Sequence, residues 1–561
     1  MAELRLDTLP KPYFIAYRVD EIERADAAAT LGSLVRSDGG RARRLTVELR
    51  VGDYAFDNTN FMGMPTGRSR LGSGFGGLVE LPLDDDYGVI RRQLWLATDG
   101  AYKEAVEQLS QKRAALESQT RSDYVPDLSK EDVTSVRDEA PTSAVEPSAG
   151  ESLVRSLSAV FRDTPDLYST SAEWSSGTAR TWYVNSEGTS FVRTSPWTAL
   201  RVQASTQATD GMPLQDFVSA YGAVPADLPP PDELSAGVTE LAARLERLRR
   251  APRAETYNGP VLFEGQAAAE LVNQVLAPRL VASRRPVSDN PMFEGMATRL
   301  ENPLLDQIGG RVLPRFLSAT DNPTTGTYRG HFLGGYRVDD DGVPARETKL
   351  VDHGILKTLL TTRVPVRGIS RSTGSRRADG PAVSNLLVTT DSGLTDAELK
   401  ELLLRLAAEH GNAYGIIVRR IANPELAAVE DPMALMAEMS AVASGATRLA
   451  ATLAFKLYRD GHEELIRNAD VPGLTTATLK EIVAASQSQT VYTAPLKVRS
   501  GGFVVAFGGF AGGLLEGFEP GPEYTASYVV PSLLLEDVSI TRPSGEAPRL
   551  PVASPPWVRM R

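Results

Sequence analysis

The spacing of apolar residues in the first half of the chain predicts a β-sheet with helices added to it. Apolar and polar residues alternate from Leu45 to Val51, the period of two that is typical of a half-buried strand. The period becomes helical from Tyr87 to Leu116, and a second helix is predicted from Glu151 to Phe161. The other predicted strands are Tyr13 to Val19, Ala27 to Val35, Ser169 to Trp174, Arg180 to Asn185, Thr189 to Arg193 and Ala199 to Thr209. This half is therefore predicted to be α+β with antiparallel hairpins.

The pattern in the second half predicts short strands around two helices. One helix is predicted from Gln266 to Ala277, where Pro278 stops it, and another from Leu394 to Ala408. Strands that alternate with glycine are predicted between Gly501 and Gly513. The remaining predicted strands are Pro260 to Phe263, Thr327 to Leu333, Gly335 to Val338, Thr348 to Val351, Ile355 to Thr361, Gly415 to Ile421 and Tyr528 to Leu535.

Two changes in composition predict the domain organisation. Residues 118–150 are rich in Ser, Thr, Pro, Asp and Glu and have no sustained apolar period, so a loop is predicted there. A Pro-rich stretch and an amphipathic helix that ends at Arg250 precede a boundary near Pro252 to Gly259. We therefore predict an N-terminal α+β domain at 1–255 and a mainly antiparallel β domain at 256–561.

The overall composition limits the classes of function. The 561 residues include no Cys, which excludes disulfides and thiol catalysis, and the net charge of -11 works against strong binding to nucleic acid. No run of about eighteen apolar residues offers a membrane span. The first residues lack the apolar region of a signal peptide, so we expect a soluble, cytoplasmic protein. An exported form whose leader was removed before this numbering begins remains open.

The motifs of metal, nucleotide and hydrolase sites are incomplete. Catalytic zinc needs about three His, Glu or Cys ligands, whereas the four His residues are scattered without pairing. Gly72–Gly77 fits a G-x-G-x-x-G pattern, but the residues after it predict strand or coil, so we expect a flexible loop. His462–Arg467 begins like a zinc-protease helix without its second His, and we expect a solvated start of a helix. The carboxylates Asp339, Asp340 and Asp341 are expected to be exposed in a turn.

Several blocks of the chain resemble the TldD/PmbA (TldD/TldE) family, most clearly its C-terminal domain. The blocks that carry this resemblance are Val338–Ala345, Lys349–Leu360, Ser372–Arg377 with Pro381, and Ser384–Leu386. Val184–Gly188 is similar to a hairpin of the family's N-terminal domain, and Pro531–Val538 to its closing strand. The region from Phe56 to Gly150 looks expanded relative to the family.

The resemblance also predicts where a metal would bind in this family. Active subunits carry H-E-x-x-x-H on the helix after the strand that opens the C-terminal domain, and a Cys further on supplies a third zinc ligand. The matching positions here are Asn273, Gln274 and Pro278. Neutral amides are poor zinc donors, Gln274 cannot take a proton from water, and the chain has no Cys. We therefore expect no zinc or other cofactor and assign no catalytic and no metal-binding residue.

In lacking these zinc ligands the chain resembles the PmbA (TldE) branch, whose members lack the metal motif. The resemblance implies an N-terminal sandwich-like α/β domain with an antiparallel sheet and long helices, and a C-terminal domain of curved antiparallel sheets. It also implies a homodimer, or a heterodimer with a metal-bearing TldD-like subunit, that encloses an unfolded peptide. Within the matching blocks, Gly374, Arg376 and Asn385 are the candidate peptide contacts. Neither nucleic acid nor a membrane is an expected partner.

Three functions remain open from the residues. The first is a non-catalytic subunit of a peptidase assembly that binds unfolded peptide. The second is an active peptidase that uses an unrecognised metal or carboxylates such as Glu264 or Glu270. The third is a structural or peptide-binding protein without a proteolytic role.

Overall fold

Two large β-sheets make up most of the structure. The computed structural model describes residues 9–62, 79–117, 124–139, 146–288, 290, 302–378, 380–426, 447–496 and 524–541. The predicted loop at Gly72–Gly77 and the predicted strands between Gly501 and Gly513 lie outside these residues, as do parts of the predicted loop at 118–150.

The first sheet contains strands from residues 12–222. Its hydrogen-bonding order is β4-β2-β1-β6-β7-β5, and β8 also pairs with β7. The strands of this part of the chain are β1 (Pro12–Thr30), β2 (Ser33–Val51), β3 (Phe61–Met62), β4 (Val79–Leu81), β5 (Ser135–Asp138), β6 (Ser169–Asn185), β7 (Ser190–Gln207) and β8 (Pro213–Gly222). All neighbours within this sheet are antiparallel except β5, which runs parallel to β7, while β3 lies outside the sheet.

Three helices cover this sheet with their apolar stripes. They are α1 (Tyr87–Glu117), α2 (Ser148–Ala159) and α3 (Pro231–Arg250). Tyr102 and Leu109 of α1 pack with Ile15 and Leu49 of the sheet. The other two helices share a core with β1, where small alanines such as Ala27 leave room for large side chains. Each helix buries one face because its apolar residues recur at helical spacing.

The second sheet contains twelve strands, and its main order is β15-β14-β11-β18-β25-β9-β20-β21-β22. The strands after residue 256 are β9 (Tyr257–Phe263), β10 (Val287–Ser288), β11 (Leu317–Asp321), β12 (Thr327–Tyr328), β13 (His331–Phe332), β14 (Thr348–Asp352), β15 (Ile355–Leu356), β16 (Arg376–Arg377), β17 (Gly380–Pro381), β18 (Asn385–Thr390), β19 (Gly393–Leu394), β20 (Tyr414–Ile421), β21 (Thr447–Tyr458), β22 (Glu463–Ile466), β23 (Ala469–Leu474), β24 (Ile482–Pro495) and β25 (Thr525–Ile540). Most pairs are antiparallel, but β18 with β25, β9 with β20 and β19 with β24 are parallel.

Two helices pack on this sheet. The first, α4 (Gln266–Leu271), follows β9 directly and is buried along its whole length except at Gln266. The second, α5 (Asp396–Glu409), begins with a capping box in which Thr395 and Glu398 satisfy each other's backbone N–H groups. The predicted fold class, α+β with mainly antiparallel sheets, is confirmed.

Several predicted element boundaries are wrong. Two separate strands were expected at the start of the chain, whereas β1 is one strand that forms a long hairpin with β2. His462–Arg467 is not the start of a helix, because Glu463–Ile466 forms β22. The predicted strands on either side of Pro196 are a single strand, β7, in which Pro196 is tolerated for a reason given below.

Buried ion pairs connect side chains on either side of residue 255, and we call this set of pairs the seam. Asp340 binds Arg18 at 3.0 Å and Arg193 at 2.6 Å. Arg363 binds Glu187 at 2.6 Å. Two further pairs of the seam are Asp216 with Arg420 and Asp210 with Arg467. Because several of these side chains are removed from water, losing one partner would leave an uncompensated buried charge.

None of the helices in the described part of the chain combines the length and apolar content that a membrane crossing requires.

Candidate functional site: the helix after β9

The helix after β9 changes its winding at Asn273 and Gln274, two of the positions that the resemblance matches to the family's zinc motif. α4 continues as a π turn from Val272 to Leu276, in which the N–H of Ala277 bonds the carbonyl of Val272 five residues earlier. An α-helix would place residues five apart on different faces, but the wider π turn brings them toward one side. A backbone of this kind would therefore bring two metal ligands toward one side of the helix if they stood five residues apart, at the positions of Asn273 and Pro278.

The side chains on this turn surround one buried carboxylate, that of Glu270. The Asn273 and Gln274 amides both donate to Oε2 of Glu270, each at 2.9 Å. Asn423 donates to Oε1 at 2.7 Å, and the Tyr492 hydroxyl donates to the same oxygen at 2.5 Å. Glu270 itself is 0% exposed. We call these four donors and their acceptor the Glu270 network.

Two outer bonds fix the orientation of the amides in the Glu270 network. The Tyr528 hydroxyl donates to Oδ1 of Asn273 at 2.6 Å. Gln274 Nε2 also donates to the carbonyl of Ala422 at 2.9 Å. These bonds hold each amide with its nitrogen toward Glu270, because the alternative orientation would bring oxygen against oxygen.

The pKa of Glu270 depends on its burial and on four uncharged donors. Burial raises the pKa of the Glu270 carboxyl, and the four hydrogen bonds work in the opposite direction because they stabilise the charged form. Burial and the neighbouring Glu270 raise the pKa of the Tyr492 hydroxyl well above its ordinary value, so Tyr492 remains a donor. None of the four donors carries a positive charge, so the pKa of Glu270 is not lowered by an ion pair.

The residues of this turn do not fit a zinc ion. Zinc in proteins takes His nitrogen, Cys sulfur or carboxylate oxygen, and Glu270 is the one such group in the network. Both oxygens of Glu270 already accept hydrogen bonds, and Pro278, in the short 3₁₀ turn that follows, has no donor atom for a metal. Among the described residues, no three His, Cys, Asp or Glu side chains are grouped so that they could hold a metal.

The sequence did not single out Tyr492, Tyr528 or Asn423. Tyr492 and Tyr528 are register partners on β24 and β25, and both hydroxyls reach the helix after β9 from the same place in the sheet. Asn423 follows β20, which is parallel to β9. No local pattern marks these residues, because their contact with Glu270 depends on pairings more than 150 positions apart along the chain.

Glu264 is separate from the Glu270 network. Its carboxylate accepts a hydrogen bond from Arg419 at 2.8 Å, and Arg419 also binds Glu463 at 2.8 Å. This half-buried pairing holds β9 to β20 and β22. The two carboxylates named as alternatives for acid and base work therefore lie in different environments.

The three candidate peptide contacts lie away from this helix. Gly374 has a φ of 74° and an added Cβ would lie 2.4 Å from the Pro344 carbonyl oxygen, so a tight turn requires glycine there. Asn385 is 1% exposed and its amide donates to three backbone carbonyls, so this side chain stabilises the local fold. Arg376 is partly exposed and binds Asp341 at 2.5 Å. Whether any of them contacts a peptide stays a prediction.

The expectation that Asp339, Asp340 and Asp341 are exposed is wrong. All three are at most 6% exposed, because arginines from distant strands cover them. Arg18 and Arg193 hold the pKa of Asp340 far below its ordinary value despite its burial. Burial, together with the neighbouring Asp341, raises the pKa of Asp339, whose oxygens accept backbone N–H groups instead of a guanidinium.

Comparisons with known proteins agree with this fold. The model of the PmbA/TldA metallopeptidase C-terminal domain matches residues 256–542. A protein of Thermotoga maritima described as a candidate modulator of DNA gyrase superposes with a TM-score of 0.59 at 14% identity, covering 94% of this chain and 96% of that one. TldE of Thermococcus kodakarensis gives a TM-score of 0.56 at 13% identity, covering 94% and 97%.

A curated relative matches over a shorter stretch. A metalloprotease of Methanocaldococcus jannaschii is 37% identical over 76 residues, which is 13% of this chain and 16% of that relative. The chain therefore aligns with only a small part of this relative's length. Since the family model covers half of the sequence and the structural matches extend over nearly all of it, the chain belongs to the TldD/PmbA family of metallopeptidase-related proteins.

Proposed function

We propose that this protein is a non-catalytic subunit of a peptidase assembly and that it binds unfolded peptide. The observation that carries this proposal is the Glu270 network, which takes the place of the family's zinc ligands with neutral amides and tyrosine hydroxyls. A zinc-bound water with a pKa of about 7 is the nucleophile of such peptidases, and these side chains offer no set of donors that would generate it.

The lone carboxylate of the network is a poor substitute for a metal. A general base needs a free oxygen within reach of a water molecule, whereas both oxygens of Glu270 accept two hydrogen bonds each. Glu270 is also enclosed, so a peptide bond has no approach to it without disrupting the packing. The network therefore stabilises the fold of the helix instead of performing acid or base chemistry.

A metal-bearing relative would supply the chemistry in this proposal. The similarity of fold to TldE supports a paired assembly, in which this chain contributes walls and peptide-binding surface. The partner is a TldD-like subunit with an intact H-E-x-x-x-H motif, or a second copy of this chain if the assembly only binds peptide.

Zinc content and peptide cleavage test the proposal. We expect the purified chain, incubated with zinc and dialysed at neutral pH, to retain far less than one zinc per chain. We expect it alone to leave an unfolded casein fragment uncut. The matched positive control is the variant Asn273→His with Pro278→His, in which the π turn and the 3₁₀ turn after it each present one imidazole and zinc retention should rise. Stoichiometric zinc in the wild-type chain would contradict the proposal.

Reconstitution tests the subunit role. Mixing the chain with a metal-bearing relative from the same genome should give a stable complex and faster peptide cleavage than the relative shows alone. Cleavage by the lone chain that is lost in Glu270→Gln, but kept in Glu264→Gln, would show instead an active peptidase based on Glu270. A chain that forms no complex and binds no peptide would leave only a structural role.

A further inference from the structure

A cavity of about 330 Å³ lies along the seam. One wall is formed by β7 and the end of β8, and the opposite wall by the segment 324–337, by Arg376 and Arg377 and by Tyr524. Its volume is at the lower end of the range for small-ligand sites, which is enough for a few residues of an extended chain. The cavity thus lies between the two sheets and is lined by both.

The β7 wall of this cavity is an open strand edge. On this edge β5 pairs with β7 as far as Arg193, and β8 pairs with it from Thr198 onward. Residues 194–197 have no strand partner on this edge among the described residues, and all four line the cavity. Pro196 lies in this gap, where its missing N–H leaves no ladder bond unmade. An open edge of this kind can accept an extended peptide as an additional short strand.

The opposite wall carries a guanidinium without an acidic partner. Arg377 lies over the rings of Tyr336 and Tyr524, at 5.2 and 4.9 Å from their centroids. No carboxylate of the described residues lies within ion-pairing distance of it, whereas Arg193 is paired with Asp340 and Arg376 with Asp341. Cation–π contacts with two rings hold the guanidinium in place without neutralising it. Its charge is therefore available to an anion in the cavity.

The charge and surface of the cavity fit one class of ligand. Four arginines and two aspartates line it, which gives a local excess of positive charge in a protein whose net charge is -11. Trp197, Phe332 and the two tyrosine rings offer apolar contact, and glycines such as Gly326 leave room for a main chain. We infer that this cavity binds an extended peptide segment whose carboxylate pairs with Arg377 while its main chain lies along residues 194–197 of β7.

This inference rests on the proposed peptide-binding function and adds to it a place and a chemical class. A guanidinium–carboxylate contact is a charge-assisted hydrogen bond, and its strength grows where water is partly excluded. The carboxylate can be the C-terminus of the peptide or an Asp or Glu side chain. Both present the same planar acceptor to Arg377.

Binding of fluorescein-labelled decapeptides to the full chain tests the inference by fluorescence anisotropy. The peptides share an unstructured Gly, Ser, Ala and Leu sequence and end in a free carboxylate, in an amide, or in an amide with one internal Glu. We expect the free carboxylate or the Glu peptide to bind at least about tenfold more tightly than the neutral amide. Which of the two binds tighter identifies the source of the carboxylate.

Two variants locate the site. Arg377→Met should weaken binding of the favoured acidic peptide about tenfold or more and leave the neutral peptide unchanged, whereas Arg377→Lys should keep much of the affinity. Arg36→Met, at a 57% exposed side chain on β2, is the matched control and should change nothing. Gly326→Leu should block both peptides by filling the cavity. An added Cβ at Gly326 meets no atom within 4 Å, so this variant should fold with an unchanged melting temperature.

The outcomes separate this inference from the proposed function. Wild-type binding that is the same for acidic and neutral peptides, and is unaffected by Arg377→Met and Gly326→Leu, would overturn the cavity as the site and leave peptide binding intact. A wild-type chain that binds none of the three peptides would overturn both. Loss of binding in Gly326→Leu but not in Gly40→Leu, a matched exposed strand glycine with open space around it, supports the site independently of Arg377.

Discussion

Two buried carboxylates of this protein, Glu270 and Asp340, differ in the groups that surround them. Glu270 accepts hydrogen bonds only from neutral amides and a hydroxyl, whereas Asp340 lies between the guanidinium groups of Arg18 and Arg193. Burial raises the pKa of Glu270 because these dipoles offset the loss of hydration only in part, whereas the two guanidinium groups hold the pKa of Asp340 below its ordinary value despite burial. Burial alone therefore does not decide the state of a carboxyl group, and the neighbours supplied by distant strands do.

The largest effect is expected from removing Glu270. Glu270→Leu removes the acceptor of three amides and of the Tyr492 hydroxyl in a closed space, and we expect the free energy of unfolding to fall by about 4 kcal/mol. Urea unfolding followed by tryptophan fluorescence measures this change. Glu173→Leu, at an exposed position of β6, is the control and should leave the midpoint unchanged. Equal stability of the two variants would mean that the Glu270 network contributes nothing to folding.

A somewhat smaller effect is expected from Asp340→Asn. The amide keeps the shape of the side chain but leaves Arg193 as a buried charge without its carboxylate and Arg18 with Asp20 alone, so we expect a loss of about 3 kcal/mol. The same unfolding assay applies, with Asp38→Asn as a control, because Asp38 is paired with Arg36 at an exposed site. If Asp340→Asn is as stable as the control, the seam does not hold the two sheets together.

The pH dependence of the two substitutions should run in opposite directions. The pKa of Glu270 is raised above 4.5 in the folded state, so its folded form binds the proton more tightly and the stability it contributes falls as the pH rises above 4.5. The pKa of Asp340 is lowered below 3.8, so its contribution is present above 3.8 and is lost as the pH falls further. The destabilisation by Glu270→Gln should therefore shrink as the pH rises above 4.5, and that by Asp340→Asn should shrink as the pH falls below 3.8.

These trends are measured as the difference in unfolding free energy between wild type and each variant at pH 3, 5 and 8. Taking the difference cancels the titration of all other groups. Trends in the same direction for both substitutions would refute the contrast between dipole and ion-pair environments.

The smallest effect is expected from a single hydroxyl. Tyr492→Phe removes one of the four donors to Glu270 and leaves the other three, so we expect a loss of about 1 kcal/mol in unfolding free energy. Tyr124→Phe is the control, because Tyr124 is 90% exposed. A loss as large as that of Glu270→Leu would mean that Tyr492 alone holds the network together.

The sequence predicted those parts of the fold that depend on local periodicity. The helical spacing from Tyr87 to Leu116 corresponds to α1, which ends one residue later. The alternation from Leu45 to Val51 corresponds to the buried end of β2. Short-range signals suffice there because each element buries a face that its own residues define.

The sequence could not predict features that depend on distant partners. Three consecutive aspartates read as an exposed turn until the structure brings arginines from residues 18, 193 and 376 against them. The sequence predicts a break between two strands at Pro196, whereas β7 continues through it and the edge of β7 beside it has no strand partner in the described part of the chain. That Asn273, Gln274 and Pro278 offer no zinc ligand is a prediction from the residues alone, but the hydrogen bonds of Tyr492 and Asn423 to Glu270 could not be predicted, because no local pattern links these residues to Glu270.

The seam also constrains how this chain can be recombined. Arg193 pairs with Asp340, Arg18 with both Asp340 and Asp20, and Glu187 with Arg363, so neither half by itself carries all the partners of its buried charges. A chimera that joined residues 1–255 to the second half of a relative would fold only if that relative supplied acidic and basic residues at the same places. A working metal helix would therefore be introduced into this scaffold more readily by changing the helix than by exchanging the second half of the chain.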